Sequence, residues 1–144
     1  MTKSNSQEHR SDAISQLPSG PVAQGDTMQP GEILNPDESI WSANRQYRFI
    51  YQTDGNLVLY EDGSDGRSDL WASGTDGSFL GVCIMQDDGN LVVYDADAQR
   101  VWASGTRSSG SRLVVQDDGN VVIYAPVWDT TSSTVLRHGE AAKR

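Results

Sequence analysis

The sequence predicts an all-β domain. Three observations predict it. Short β-prone runs alternate with stretches rich in Gly, Ser, Asp and Thr; no stretch of about 10–12 residues shows helical periodicity; and one nine-residue unit occurs three times. The strand-like runs are 47–51, 57–60, 82–85, 91–94, 113–115 and 121–124.

The repeated unit reads QTDGNLVLY at 52–60, QDDGNLVVY at 86–94 and QDDGNVVIY at 116–124, at separations of 34 and 30 residues. Asp-Gly between two β-prone runs is a hairpin signal. A two-residue type I′ turn requires positive φ at both central positions, which Gly accepts freely and Asp or Asn better than most. Each copy is therefore expected to be strand, tight turn, strand. Side chains alternate faces after the turn. Leu57 and Leu59, Leu91 and Val93, and Val121 and Ile123 form an aliphatic face that must be core. The other face carries an amide, a small aliphatic and a phenol in the same order three times.

That second face has two readings. In the structural one, Asp and Asn serve the turn and Tyr packs across strands. It accounts for Asp and Asn well, and for Gln and Tyr poorly. In the functional one it is a sugar site. A pyranose offers neighbouring hydroxyls that both donate and accept, and an apolar C–H face. Gln, Asn and Tyr match the first need, Asp accepts, and Val can touch ring carbons.

A tryptophan follows each copy. Trp71 and Trp102 open identical Trp-Ala-Ser-Gly-Thr segments at 71–75 and 102–106, Trp128 follows the third copy, and Trp41 precedes the first.

The pattern Gln-x-Asp-x-Asn-x-Val-x-Tyr resembles the signature of the bulb-type mannose-binding lectins of monocots, the snowdrop-agglutinin family. Residues 25–35, GDTMQPGEILN, are similar to that family's first strand segment, and the Trp-Ala-Ser-Gly-Thr pieces to its core strands. The resemblance covers about residues 22–132. It implies a β-prism II fold: three four-stranded antiparallel sheets about a pseudo-threefold axis, with tryptophans at the centre. It also implies metal-free, cofactor-free binding of α-D-mannose in a groove on each sheet. Carried over by motif position, Gln52, Asp54, Asn56 and Tyr60 would hydrogen-bond one sugar and Val58 would touch its ring. Gln86, Asp88, Asn90, Val92 and Tyr94 would form a second site, and Gln116, Asp118, Asn120, Val122 and Tyr124 a third. In the family the Asp and Asn engage the axial 2-hydroxyl that separates mannose from glucose. Homodimers are implied too. Family dimers often exchange C-terminal strands, and a strand at 130–136 crossing to a partner would be one such arrangement. Two departures stand out. Plant members usually carry an intrachain disulfide, which a single cysteine, Cys83, cannot form. The segment after Trp128 also abandons Ala-Ser-Gly-Thr.

Composition narrows the alternatives. The 144 residues allow one ordinary domain. Hydrophobic content is 36%, and no apolar run approaches the roughly 18–20 residues of a membrane helix, so no membrane insertion is expected. Eleven Lys and Arg against 20 Asp and Glu give a net charge of -9, which argues against nucleic acid. The acidity belongs to residues 22–137, where seven arginines and no lysine face 17 carboxylates. Residues 1–21 and 138–144 read as flexible tails around a domain at 22–137. The first 21 residues hold no apolar stretch of signal-peptide length. The expectation is a protein that stays in the cytoplasm or is exported without such a signal. Cys83, in a run of apolar residues, is expected to be a buried small hydrophobe.

An enzyme is not expected. Asp87/Asp88 and Asp117/Asp118 are neighbours in a turn and cannot flank a glycosidic bond at the roughly 5–9.5 Å that glycosidases use. His9 and His138 lie in the tail segments, and no nucleophile has a base beside it in any recognisable pattern. The Asp-rich turns do not begin EF-hand loops. The serious alternative is a protein-interaction module on the same scaffold with weak or no sugar binding.

Overall fold

The three motif hairpins lie at the heart of three antiparallel sheets. The computed structural model describes residues 16–63 and 66–127, the side chains of residues 63, 66 and 67 excepted. Trp128, the expected strand at 130–136, the C-terminal tail and residues 1–15 lie outside the described residues. The strands are β1 (Thr27–Met28), β2 (Ile33–Leu34), β3 (Glu38–Trp41), β4 (Tyr47–Tyr51), β5 (Leu57–Gly63), β6 (Gly66–Ala72), β7 (Val82–Met85), β8 (Leu91–Tyr94), β9 (Arg100–Ala103), β10 (Arg112–Val115) and β11 (Val121–Tyr124). Among the described residues no helix is long and apolar enough to cross a membrane.

The first sheet runs β3-β4-β5-β6, the second β2-β7-β8-β9 and the third β1-β10-β11. Two sheets thus have the expected four strands. The third shows three among the described residues, and the chain leaves those residues just beyond β11. The threefold correspondence is visible in the register. Tyr51 pairs with Leu57, Met85 with Leu91, and Val115 with Val121, each pair closing a motif hairpin. β1 and β2 do not stay with their neighbours in sequence. They cross to complete the third and second sheets.

Strand alternation then builds one core. Phe49, Tyr51, Leu57 and Leu59 come from the first hairpin, Cys83, Met85, Leu91 and Val93 from the second, and Leu113 and Val115 from the third, with Met28, Leu34 and Ile40 between them. Each such side chain contributes roughly 1.5–3 kcal/mol when fully buried. Cys83 is fully buried, and burial pushes its thiol up to about 12, so it packs as a small hydrophobe held in its thiol form.

Two expectations change. The turns are not two-residue type I′ turns. Positive φ occurs at Gly55 (93°), Gly89 (92°) and Gly119 (88°) and not at the preceding aspartates. Gly55 N–H donates to the Gln52 carbonyl at 3.0 Å, and Gln52 N–H to the Asn56 carbonyl at 2.8 Å, with the same pair of bonds at 86–90 and 116–120. Each is a three-residue loop, a type I turn followed by a left-handed glycine. The longer loop leaves room for the Asp carboxylate to fold back over its own turn.

Trp71 and Trp102 face the core without being fully buried. Trp71 is 40% exposed and Trp102 is half-buried. They meet edge to face with centroids 5.3 Å apart, and Phe49 lies 6.3 Å from Trp71. Both stand on sheet-edge strands, β6 and β9, and look across a cavity of about 580 Å3 toward Val121 and Ile123 of β11. Tyr51, Phe49 and Met28 are among the largest fully buried side chains. Trp41 lies apart, with the guanidiniums of Arg45 and Arg48 at 4.8 and 5.3 Å from its ring centre.

The described residues begin before the expected domain start at 22. Pro21 accepts a hydrogen bond from Ile33 N–H at 2.9 Å, and Leu17 packs against the cluster of Ile33, Val82, Ile84 and Val92 on the second sheet.

Candidate functional site

Each motif is organised by its hairpin. The glutamine directly follows the first strand of the pair, the aspartate sits in the turn, the asparagine directly precedes the second strand, and the valine and tyrosine lie on that strand. In all three copies the carboxylate accepts the backbone N–H two residues on: Asp54 from Asn56 at 2.9 Å, Asp88 from Asn90 at 3.0 Å and Asp118 from Asn120 at 3.0 Å. One carboxylate oxygen therefore serves the turn, as the structural reading held. The glutamine then reaches the tyrosine eight residues away. The Tyr60 hydroxyl donates to Gln52 Oε1; Gln86 Nε2 donates to the Tyr94 hydroxyl at 2.6 Å, and Gln116 Nε2 to that of Tyr124. In the first copy Gln52 Nε2 also donates to both Asp54 oxygens at 3.1 Å. Gln, Asp, Asn and Tyr thus converge on one polar strip per sheet.

The asparagines are set by residues that the motif does not contain. Asn56 Oδ1 accepts from Ser73 Oγ at 3.1 Å, Gly74 N–H at 2.9 Å and Thr75 N–H at 3.1 Å. Asn90 Oδ1 accepts from Ser104 Oγ at 3.1 Å and Gly105 N–H at 2.9 Å. With the oxygen so occupied, the amide Nδ2 is left as the group that can donate to a ligand. The same loops clamp the turn itself. Thr75 Oγ1 donates to the Gly55 carbonyl and Thr106 Oγ1 to that of Gly89, each at 2.6 Å. Sequence reasoning placed these Ser-Gly-Thr residues in core strands and missed their role. The available signal was that the tripeptide occurs twice, each time after a motif.

The third copy is more open. Asn120 and Tyr124 are exposed, and no described residue pins Asn120 Oδ1. Its turn is tied instead to the β3–β4 turn, where Asn44 N–H donates to Asp117 Oδ1 at 2.8 Å.

The valines differ from expectation in exposure. Val58 is 2% exposed and Val92 fully buried, while Val122 is half-buried. Across the strands they face Ile50, Ile84 and Val114. They form an apolar floor beneath the polar strip more than a surface of their own. Among the described residues no three His, Cys, Asp or Glu side chains cluster as metal ligands.

No protein-family model matches the chain. It is 46% identical over 104 residues to a mannose-specific lectin of Aloe arborescens, a match spanning 69% of this chain and 90% of that protein. It is 45% identical over 71 residues to a mannose-specific lectin of Narcissus pseudonarcissus, spanning 49% of this chain and 54% of the relative. Among solved structures it is similar to the mannose-specific agglutinin of snowdrop, Galanthus nivalis, in complex with methyl-α-D-mannoside. The TM-score is 0.63 and the identity 37%, over 74% of this chain and 96% of the other.

Proposed function

The chain belongs to the bulb-type mannose-binding lectins, and from that premise we propose that it is a non-enzymatic lectin that holds mannose at its three motif strips without a metal ion. Mannose recognition follows from the family. The assignment to Gln52, Asp54, Asn56, Val58 and Tyr60, and to their counterparts at 86–94 and 116–124, rests on one observation. The same Gln–Tyr and Asp–Asn arrangement is built three times, with the amide oxygens of Asn56 and Asn90 consumed by the scaffold and their Nδ2 groups left over. A glycan hydroxyl would meet a donor from Asn and acceptors from Asp and Tyr, above the valine floor.

A shallow site of this kind holds a monosaccharide at about millimolar affinity, or roughly -4 kcal/mol. Several strips engaging one branched glycan raise the effective affinity without new contacts. Two-dimensional amide NMR with methyl α-mannoside in EDTA tests the reading. Shifts at the Asn56 and Asn90 side-chain amides are expected at millimolar sugar. Silence at both, or a response that EDTA abolishes, would sink it, and the search would turn to a protein partner.

The assembly is a homodimer in this reading. The cavity between Trp71, Trp102, Val121 and Ile123 is lined by apolar side chains of β11, which among the described residues pairs on one side only, with β10. Chain beyond residue 127 of a second copy would cover it, completing the third sheet by strand exchange. Light scattering of the full chain is expected to report twice the monomer mass, and removal of residues 128–144 to halve it. A monomeric full chain would refute the dimer.

A further inference from the structure

The first two motif copies share a backbone but not a charge. Tyr60 pairs across its sheet with Asp69, whereas Tyr94 pairs with Arg100. The Ser-Gly-Thr that braces Asn56 is followed by Asp76, and the one that braces Asn90 by Arg107. At two equivalent positions, two carboxylates in the first copy thus become two guanidiniums in the second. In the third copy Pro126 stands where Arg100 does, two residues before the tryptophan.

The two arginines are gathered at one place. Together with Asn90, Ala103 and Gly105 they line a cavity of about 490 Å3 along β9. Both are exposed, and neither makes an ion pair with a described residue. The nearest carboxylates in sequence, Asp95 and Asp97, belong to the β8–β9 turn, where Asp95 Oδ1 is occupied by the N–H groups of Asp97 and Gln99 at 2.9 and 3.0 Å. In a domain whose charge is strongly negative, two unneutralised guanidiniums beside a sugar-binding amide set this site apart. Guanidinium is the side chain best matched to phosphate and carboxylate oxygens.

We propose that the second motif site takes mannosyl glycans bearing an anionic substituent, a phosphate ester or a carboxylate, with Asn90 on the sugar hydroxyls and Arg100 and Arg107 on the anion. The inference rests on the mannose reading and adds a ligand class to one of its sites.

The test titrates the full chain with methyl α-mannoside, mannose 6-phosphate, mannuronate and inorganic phosphate, following the Asn90 and Asn56 side-chain amides by NMR at low salt. Asn90 is expected to bind at least one anionic sugar about three- to tenfold more tightly than the neutral one, as two exposed charge-assisted contacts allow. The gain should shrink at high salt, and Asn56, flanked by Asp69 and Asp76, should show none. A gain for mannose 6-phosphate alone identifies phosphorylated glycans, and for mannuronate alone uronate-containing ones. The double variant Arg100→Gln/Arg107→Gln should lose the gain and keep neutral mannoside binding. Equal affinities at Asn90, a gain that survives in the double variant, or an equal response to inorganic phosphate would each overturn the proposal. If methyl α-mannoside moves neither amide, the mannose reading itself falls.

Discussion

Asn56→Asp is expected to remove mannoside binding at the first site while leaving the fold within about 1 kcal/mol of its original stability. The reason lies in the division of labour within one amide. Its oxygen accepts three hydrogen bonds from the loop at 73–75, and a carboxylate oxygen can accept the same three. Its nitrogen is the donor that the proposed site offers the ligand, and aspartate has none. Losing that bond costs about 1–3 kcal/mol, enough to push a millimolar site beyond detection. Asn56→Ala should lose binding too, but also leave three donors without their acceptor and loosen the loop. Sugar titration read at Asn90 as the internal control, together with urea unfolding, separates the two. If aspartate and alanine destabilise equally, the amide oxygen is not the brace described above.

Gly89→Ala is expected to be the most damaging of the motif glycine substitutions. A Cβ there would lie 2.2 Å from the Ser108 carbonyl oxygen and 2.6 Å from its carbon and nitrogen, at a φ of +92°. Those are backbone atoms and cannot swing away. Adding steric overlap to a left-handed conformation costs about 3–5 kcal/mol, a large share of the roughly 5–15 kcal/mol that holds a domain together. Gly55→Ala should cost less, since its nearest atom is the Ser78 carbonyl oxygen at 2.8 Å. Gly119→Ala should cost least, because its Cβ meets the Tyr47 ring at 2.8 Å, and a side chain can yield. Urea unfolding of the three variants gives the order. A Gly119 variant as unstable as the Gly89 variant would refute it.

The hairpins were legible because their period is local. The runs at 82–85, 91–94 and 121–124 coincide with β7, β8 and β11, each an alternating apolar strand bounded by its own turn. β6 was not, since Gly66–Ala72 carries few β-formers and is placed by pairing with β5. The turn type was misread for a specific reason. Asp-Gly serves equally as a two-residue loop or as the end of a three-residue one, and only the Gln-to-Asn bridge decides. The motif residues were legible as a set because they repeat. Their braces were not, because Ser73 lies 17 residues from Asn56 and Ser104 lies 14 from Asn90, at spacings that differ between copies. Trp71 and Trp102 have the composition of core residues but occupy edge strands, a position that residue type alone does not encode.

The brace has a consequence for how this domain can be divided. The loop at 73–75 both steadies the first site and carries the chain toward β7. The loop at 104–106 does the same between the second site and β10. The unit that repeats in sequence is therefore out of phase with the unit that works. A cut made just after Tyr60 or Tyr94, at the natural edge of the repeat, detaches a hairpin from the loop that holds its asparagine. β1 and β2 compound this, because they precede the first motif in the chain and yet are woven into the two sheets farthest along it. Modules transplanted from this protein should be cut after Thr75 or Thr106, taking the following loop with the hairpin it supports. A single repeat excised by its sequence boundaries would be a strand pair without its latch.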